Sequence, residues 1–189
     1  MASSRSAVIL SPVNWLAQRI GFWIFLLSGS AVLGFDPEQD GLDGIKDLVR
    51  KRFPEVRQLP TKELAAWLAD TNRPQPVLLD VRQVDEFAIS HLAGAHRVDP
   101  DAKADALKAL VATNQTVVVY CSVGYRSSEL ARRLMKNGIT NVFNLEGSIF
   151  QWANEGRALA GTNGPAAKVH PYNDRWGALL KPEVRATAK

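Results

Sequence analysis

Cysteine is scarce in this sequence: Cys121 is the single copy among 189 residues. One thiol cannot form an intramolecular disulfide, so the fold has no cross-link of this kind. One cysteine and the three scattered histidines also cannot supply the four ligands of a structural zinc site. We therefore predict that the protein holds no metal ion.

The sequence has only a small excess of basic over acidic residues, with a net charge of +4. The chain has no basic run interleaved with aromatic residues, so we predict no nucleic-acid partner. Apolar residues make up 46% of the sequence, which is typical of a globular domain and argues against overall disorder. The length allows one domain with its own core but not two.

Acidic residues are absent before Asp36, and an uncharged apolar run occupies residues 20–35. Because Arg5 and Arg19 precede this run, the layout is typical of a secretory signal peptide. The run is shorter than the roughly 20 residues of a membrane span, but an uncleaved anchor is the alternative if residues 7–16 extend it. A buried N-terminal helix is the third interpretation. We expect export to the periplasm, or anchoring in a membrane with the domain facing the periplasm.

The rest of the sequence alternates between two apolar patterns. Short apolar runs predict strands at 56–59, 77–81, 97–99, 116–120 and 141–144. Helical spacing predicts helices at 44–53, 62–70 with Thr61 as N-cap, 84–89, 101–112, 127–137 and 148–154. Strands that alternate with helices predict an α/β fold with a mostly parallel central sheet and helices on both faces.

These patterns divide the chain into four parts. Residues 1–35 form the signal peptide or membrane anchor, and residues 36–55 form an acidic linker followed by a short helix. Residues 56–160 form the catalytic domain. The pattern lapses at about residue 161, so we assign residues 161–189 to a C-terminal tail, and we expect the protein to be a monomer.

The candidate site follows the most apolar strand, which ends at Tyr120. The next seven residues are Cys121-Ser122-Val123-Gly124-Tyr125-Arg126-Ser127, and a helix is predicted after them. In a parallel sheet, ligands bind beyond the carboxyl ends of the strands. Backbone N–H groups of such a loop, together with the helix N-terminus, favour a thiolate and lower the pKa of the cysteine. Cys121 is therefore the candidate nucleophile.

Two other residues of this loop have predicted roles. Gly124 permits the tight curvature that a closed loop needs. Arg126 has two alternative roles: it attracts an anionic substrate, or it braces the loop by pairing with a carboxylate. Asp80, at the end of the neighbouring predicted strand, is the candidate partner for the second role.

Three motifs resemble those of the single-domain rhodanese family. The loop Cys-Ser-Val-Gly-Tyr-Arg-Ser is similar to that family's Cys-x-x-Gly-x-Arg-Ser. The first family signature is similar to Asp80-Val81-Arg82 with Glu86-Phe87 and His91-Leu92-Ala93-Gly94-Ala95, and the last to Leu145-Glu146-Gly147 with Trp152 and Gly156. The resemblance covers about residues 57–159. The sequence departs from the family at Ser90, Arg97 and Ser148, where Gly, Asn and Gly are common.

The resemblance implies a rhodanese-like fold and a sulfurtransferase activity. The Cys121 thiolate would take the outer sulfur of a donor anion such as thiosulfate and pass it to cyanide or a thiol. The loop residues that bind substrate would be Ser122, Val123, Gly124, Tyr125, Arg126 and Ser127. Asp80 and Arg82 would support the loop, and no metal or organic cofactor is implied.

Two alternatives remain on the same fold. Phosphatases and arsenate reductases resemble this loop but place the arginine six residues after the cysteine, whereas Arg126 is five after Cys121. The shorter loop is expected to be too tight for a tetrahedral phosphate. The second alternative is a persulfide or thiol carrier, or a sensor, that acts with a partner protein. Turnover with thiosulfate would separate a carrier from an enzyme.

Overall fold

The computed structural model describes residues 36–103, 107, 109–111 and 115–187. The proposed signal peptide or anchor at 1–35 and parts of the predicted helix at 101–112 lie outside the described residues. Within the described part of the chain, no helix has both the length and the apolar character needed to cross a membrane.

Five parallel strands form the central sheet. Their order is β1-β5-β4-β2-β3, and their bounds are β1 Arg57–Leu59, β2 Val77–Asp80, β3 His96–Arg97, β4 Val117–Tyr120 and β5 Val142–Leu145. The middle strand, β4, is fully buried, which is why its sequence carries no charge. Each of the five strands overlaps a predicted strand.

Helices flank this sheet and confirm the predicted α/β class. Their bounds are α1 Pro37–Arg52, α2 Thr61–Ala69, α3 Val84–Ile89, α4 Tyr125–Lys136, α5 Ser148–Asn154 and α6 Asp174–Gly177. The strand-to-helix connections bring the carboxyl ends of β2, β4 and β5 to one edge of the sheet, where the N-termini of α3, α4 and α5 follow within a few residues.

Helix α1 lies where we expected a linker at residues 36–44. The Asp36 carboxylate accepts a hydrogen bond from the backbone N–H of Glu38 (3.1 Å), and Pro37 occupies the first turn, so the helix has a well-formed N-terminus. Gly41 interrupts it with a φ of 63°. The acidic composition thus marks the first turn of a helix, where negative charge is favourable, and not a linker.

The predicted N-cap role of Thr61 is wrong. Pro60 occupies the cap position, and Thr61 is the first residue of α2. The Thr61 hydroxyl lies 2.8 Å from both carboxylate oxygens of Glu155, at the end of α5. The Thr61 hydroxyl therefore donates to the distant Glu155 carboxylate instead of capping the N-terminus of α2.

The C-terminal part of the chain has more structure than the lapse in pattern at residue 161 indicated. Strands β6 Leu159–Gly161 and β7 Gly164–Ala166 form an antiparallel pair, and helix α6 and a 3-10 turn at Pro182–Val184 follow. Val169 and Leu180 are buried in this segment. Elements of three or four residues are too short to show an apolar period, which explains why they were not predicted.

Candidate functional site

The cysteine loop lies between the end of β4 and the start of α4. Its first two carbonyl groups, those of Cys121 and Ser122, accept hydrogen bonds from the backbone N–H groups of Ile149 and Phe150 (3.2 and 3.1 Å). The N–H of Cys121 donates to the Ser148 hydroxyl (3.2 Å). The first turn of α5 therefore holds the backbone on both sides of the thiol.

Hydrogen-bond donors surround the Cys121 sulfur. The Gly124 N–H donates to Sγ over 3.1 Å, and the Ser127 hydroxyl lies 3.5 Å away. Burial acts to raise the pKa of this thiol, since the residue is only 1% exposed. The positive charge of Arg126 and the hydrogen bonds from Ser127 and Gly124 outweigh burial, so the pKa of Cys121 lies below its ordinary value.

The Ser127 hydroxyl has one proton and two neighbouring acceptors. It lies 2.6 Å from Asn144 Oδ1, which is the better acceptor and the shorter contact. The weaker contact to Sγ leaves the charge of Arg126 and the backbone N–H groups as the main support for a thiolate. Asn144 is in turn fixed by donating to Gln58 over 2.7 Å.

Gly124 makes the curvature of the loop possible. It adopts a φ of 105° at the N-terminus of α4, in the region that residues with a side chain rarely enter. A Cβ at this position would lie 3.1 Å from Asn144 Nδ2. Both observations explain why this position is a glycine. Helix α4 begins at the next residue, Tyr125, which is two residues before the predicted start.

Arg126 pairs with Glu86 and not with Asp80, so the predicted partner is wrong. Its Nη1 and Nη2 atoms each donate to the Glu86 carboxylate over 2.9 Å, and Nη2 also donates to the Ser122 hydroxyl (3.0 Å). Burial acts to raise the pKa of Glu86, but the paired guanidinium of Arg126 lowers it to about 2. Between the two predicted roles of Arg126, this bidentate geometry favours bracing of the loop.

Asp80 has a different partner, Arg82, within the same turn. The Arg82 Nη2 atom lies 2.7 Å from the Asp80 carboxylate, and both side chains are 0% exposed. The same nitrogen also donates to the Ser90 carbonyl (2.5 Å). The pair fixes the turn between β2 and α3, which carries Glu86 to the cysteine loop. Asp80 and Arg82 therefore support the site from a distance and do not contact the thiol.

The loop residues divide into those around the sulfur and those that face elsewhere. Ser122, Gly124, Arg126 and Ser127 surround Cys121 directly or through one partner. Val123 is buried. Tyr125 packs its ring edge-to-face against Phe53, at the end of α1, with 5.2 Å between the ring centres.

Three residues of the site were not predicted as such: Glu86, Asn144 and Ser148. Glu86 belongs to the first of the three family motifs, and its position in the first turn of α3 is the signal that indicates a carboxylate partner. In the sequence, Ser148 is distinguished only as a departure from the family pattern. It adopts a positive φ of 51°, and its hydroxyl donates to the Leu145 carbonyl (3.0 Å) while accepting from Cys121. No group of metal-ligating side chains occurs among the described residues.

Comparison with known proteins places this geometry in a family. A relative from Bacillus subtilis, "Uncharacterized protein YqhL", is 35% identical over 81 residues, which is 43% of this chain and 64% of the relative. The tRNA uridine(34) hydroxylase of Sodalis glossinidius is 27% identical over 149 residues, which is 76% of this chain and 42% of that protein. The chain thus spans less than two thirds of the length of these relatives.

A solved structure shows the same fold. The crystal structure of thiosulfate sulfurtransferase from Pseudomonas aeruginosa matches 71% of this chain and 25% of its own, with 23% identity and a TM-score of 0.55. The family described as "Rhodanese-like domain" matches residues 61–155, which include the whole cysteine loop and its partner Glu86. The chain belongs to the rhodanese-like domain family, as the three sequence motifs indicated.

Proposed function

We propose that the protein is a sulfurtransferase that carries sulfane sulfur as a persulfide on Cys121. The thiolate attacks the outer sulfur of thiosulfate, the S–S bond of the donor breaks, and sulfite leaves with the bonding electron pair. Cyanide or a thiolate then attacks the terminal sulfur of the persulfide and restores the Cys121 thiolate. The charge balances in both steps, and neither step needs a metal or an organic cofactor.

The observation that carries this proposal is the environment of the Cys121 sulfur. It lies at the carboxyl end of the central strand, with the Gly124 N–H directed at it and a pKa below the ordinary value. These features favour the thiolate needed for attack. They also favour the persulfide anion that follows, because backbone N–H donors stabilise negative charge on the terminal sulfur.

The geometry of Arg126 refines how the donor anion is bound. Three hydrogen bonds tie the terminal nitrogens of Arg126 to Glu86 and Ser122, which supports a role in bracing the loop and supplying positive charge over direct contact with the donor. We assign donor binding to the backbone N–H groups of the loop from Ser122 to Ser127. The short spacing between Cys121 and Arg126, five residues and not six, supports a loop too narrow for a tetrahedral phosphate and so argues against a phosphatase.

The test is the intact mass of the protein after treatment with thiosulfate, together with the rate of thiocyanate formation from thiosulfate and cyanide. We expect one added sulfur atom on the wild type, removal of that atom by cyanide, and neither event in Cys121→Ser, which is the matched control. Serine at this position is a far weaker nucleophile at neutral pH. An unmodified wild type without turnover would refute the proposal. Loading with one sulfur but no turnover would favour the carrier or sensor alternative, which needs a partner protein.

A second candidate function comes from the relatives named tRNA uridine(34) hydroxylase. The similarity to the Sodalis protein extends over 149 residues, beyond the 95 residues of the family match, so part of the flanking sequence is shared as well. Hydroxylation of uridine is a two-electron oxidation, so this candidate needs an external oxidant such as dioxygen. It is tested by adding the protein, with and without dioxygen, to tRNA that lacks the modification and measuring hydroxylated uridine by mass spectrometry. Hydroxylated product that depends on Cys121 would support this second candidate. No product would refute it, and sulfur transfer would remain the proposed function.

We also propose that residues 1–35 take the chain out of the cytoplasm. The basic residues followed by an uncharged apolar run support this proposal. Fractionation of the native host tests it, with the periplasm or the membrane as the expected location. A location in the cytosol would refute it, and would also be required for any action on tRNA.

A further inference from the structure

Tyr172, in the C-terminal segment, contacts the arginine of the cysteine loop. Its ring centre lies 5.1 Å from Arg126 Cζ, within the range of a cation–π interaction. Arg126 is thereby enclosed on two sides, by the Glu86 carboxylate and by this ring, and its side chain is only 14% exposed. Tyr172 lies outside the family match at residues 61–155, so the general features of the family do not account for this contact.

The backbone at Tyr172 is held in an unfavourable conformation. Its φ of 68° falls in the left-handed region, where a residue with a bulky side chain is an outlier. The Tyr172 N–H donates to His170 Nδ1 over 2.9 Å, which fixes the turn. Strain of this kind persists only where the surrounding structure determines it, and such outliers are concentrated at functional sites.

Contacts on both sides of Tyr172 hold the C-terminal segment together, and Asn154 of α5 binds that segment to the domain by donating to the Leu179 carbonyl (2.8 Å) and accepting from the Lys181 N–H (2.9 Å). Before Tyr172, Val169 is fully buried and pairs with the backbone of Val184 (2.7 Å). After it, Gly177 packs so closely on Pro171 that an added Cβ would lie 2.8 Å from the proline Cβ. The backbone contacts on either side of Tyr172 therefore fix the position of its ring over Arg126.

We propose that Tyr172 is a positioning residue of the sulfurtransferase site, which holds the Arg126 guanidinium in its pairing with Glu86 and so maintains the Cys121 thiolate. The inference rests on the proposed function. Among the described residues, the charged groups next to the thiol loop are Arg126 on α4 and Glu86 on α3, and the charge of Arg82 acts on Glu86 from the turn before α3. Without the ring, water reaches the guanidinium and screens its charge, and the side chain gains freedom to move away from the loop.

The experiment compares Tyr172→Gly with Tyr172→Phe in the full-length protein. Glycine removes the ring and relieves the positive-φ strain, so the backbone turn should persist, which thermal unfolding checks. Phenylalanine keeps the ring over Arg126. Arg73→Ala is the matched control, since it removes another cation–π pair, with Trp67, just before β2 at the opposite edge of the sheet. The readout is the ultraviolet absorbance of the Cys121 thiolate as a function of pH, with Cys121→Ser subtracted.

We expect Tyr172→Gly to raise the apparent pKa of Cys121 by about half a pH unit, and Tyr172→Phe and Arg73→Ala to leave it at the wild-type value. With thiosulfate as donor, kcat near neutral pH should fall about threefold in Tyr172→Gly while KM stays constant, because the ring does not contact the donor. An unchanged or lowered pKa in a folded Tyr172→Gly, or a shift of equal size in Tyr172→Phe, would overturn the proposal. Because the titration needs no turnover, its result stands even if the wild type fails to transfer sulfur.

Discussion

Replacing Glu86 by glutamine removes one negative charge from beneath the cysteine loop and keeps the size of the side chain. In the wild type, the Glu86 carboxylate accepts two hydrogen bonds from Arg126, one from the Ser122 hydroxyl (3.0 Å) and one from the Gln83 N–H (3.0 Å). Glutamine can accept at one atom only and offers an N–H₂ group where a guanidinium already donates. The variant therefore leaves Arg126 without its counter-charge in a nearly buried position.

The size of the effect follows from the pKa of Glu86. The folded protein lowers it from 4.5 to about 2, which corresponds to about 3 kcal/mol of stability at neutral pH. Breaking a buried ion pair by removing one partner typically costs about 3–5 kcal/mol, in agreement with this value. Because the folded-state pKa is below the unfolded one, the contribution is complete above pH 4.5 and is lost as the pH falls towards 2.

Urea unfolding followed by tryptophan fluorescence measures this contribution. We expect Glu86→Gln to lower the free energy of unfolding by about 3 kcal/mol near pH 7, and the difference from wild type to shrink to less than half by about pH 3. Glu129→Gln is the control, because it removes the same charge from the partly exposed pair with Arg132 and should cost less than about 1 kcal/mol. A difference that does not change with pH, or a loss no larger than that of Glu129→Gln, would refute the reasoning.

Three further predictions concern the loop itself. Gly124→Ala should lower the free energy of unfolding by about 1–3 kcal/mol in urea titrations, since alanine is strained at a φ of 105° and its Cβ would crowd Asn144. A loss below about 0.5 kcal/mol would show that the loop relaxes easily. Arg126→Lys should lower the melting temperature and kcat together while the KM for thiosulfate changes little, because one ammonium group cannot replace the bidentate pairing. A rise in the KM for thiosulfate with no change in kcat would instead support the alternative role of Arg126, in which it binds the anionic donor. Ser148→Ala should slow thiosulfate turnover severalfold, because the Cys121 N–H loses its acceptor, and an unchanged rate would mean that the rest of the α5 turn holds the thiol.

The sequence predicted those features that depend on residues close together in the chain. The fully buried strand β4 followed by a glycine-containing loop and a helix was sufficient to place Cys121 at the carboxyl edge of a parallel sheet. The order of apolar runs was likewise sufficient for the α/β class. In both cases the local pattern and the tertiary environment favour the same structure, because a strand buried on both faces must be apolar along its whole length.

Pairings between distant segments were not predictable in this way. Asp80 and Glu86 are both carboxylates near the end of β2, and nothing in their spacing from Arg126 shows which one it meets. Arg82 lies two residues from Asp80 and pairs with the Asp80 carboxylate within the same turn, so Asp80 is already neutralised. Glu86 is then the carboxylate left to face the loop. Thr61 shows the same limit, since its partner Glu155 is 94 residues away.

The flanks of the family domain contact the start of α4 at two consecutive residues. Tyr125 packs against Phe53 on the N-terminal side of the match, and Arg126 lies beneath Tyr172 on the C-terminal side. Helices α1 and α6, which carry or adjoin these contacts, also touch each other. The family domain supplies the nucleophile, the loop and the carboxylate Glu86. The two flanks contact consecutive residues in the first turn of α4, immediately after the loop, which supports our proposal that the C-terminal flank influences the cysteine.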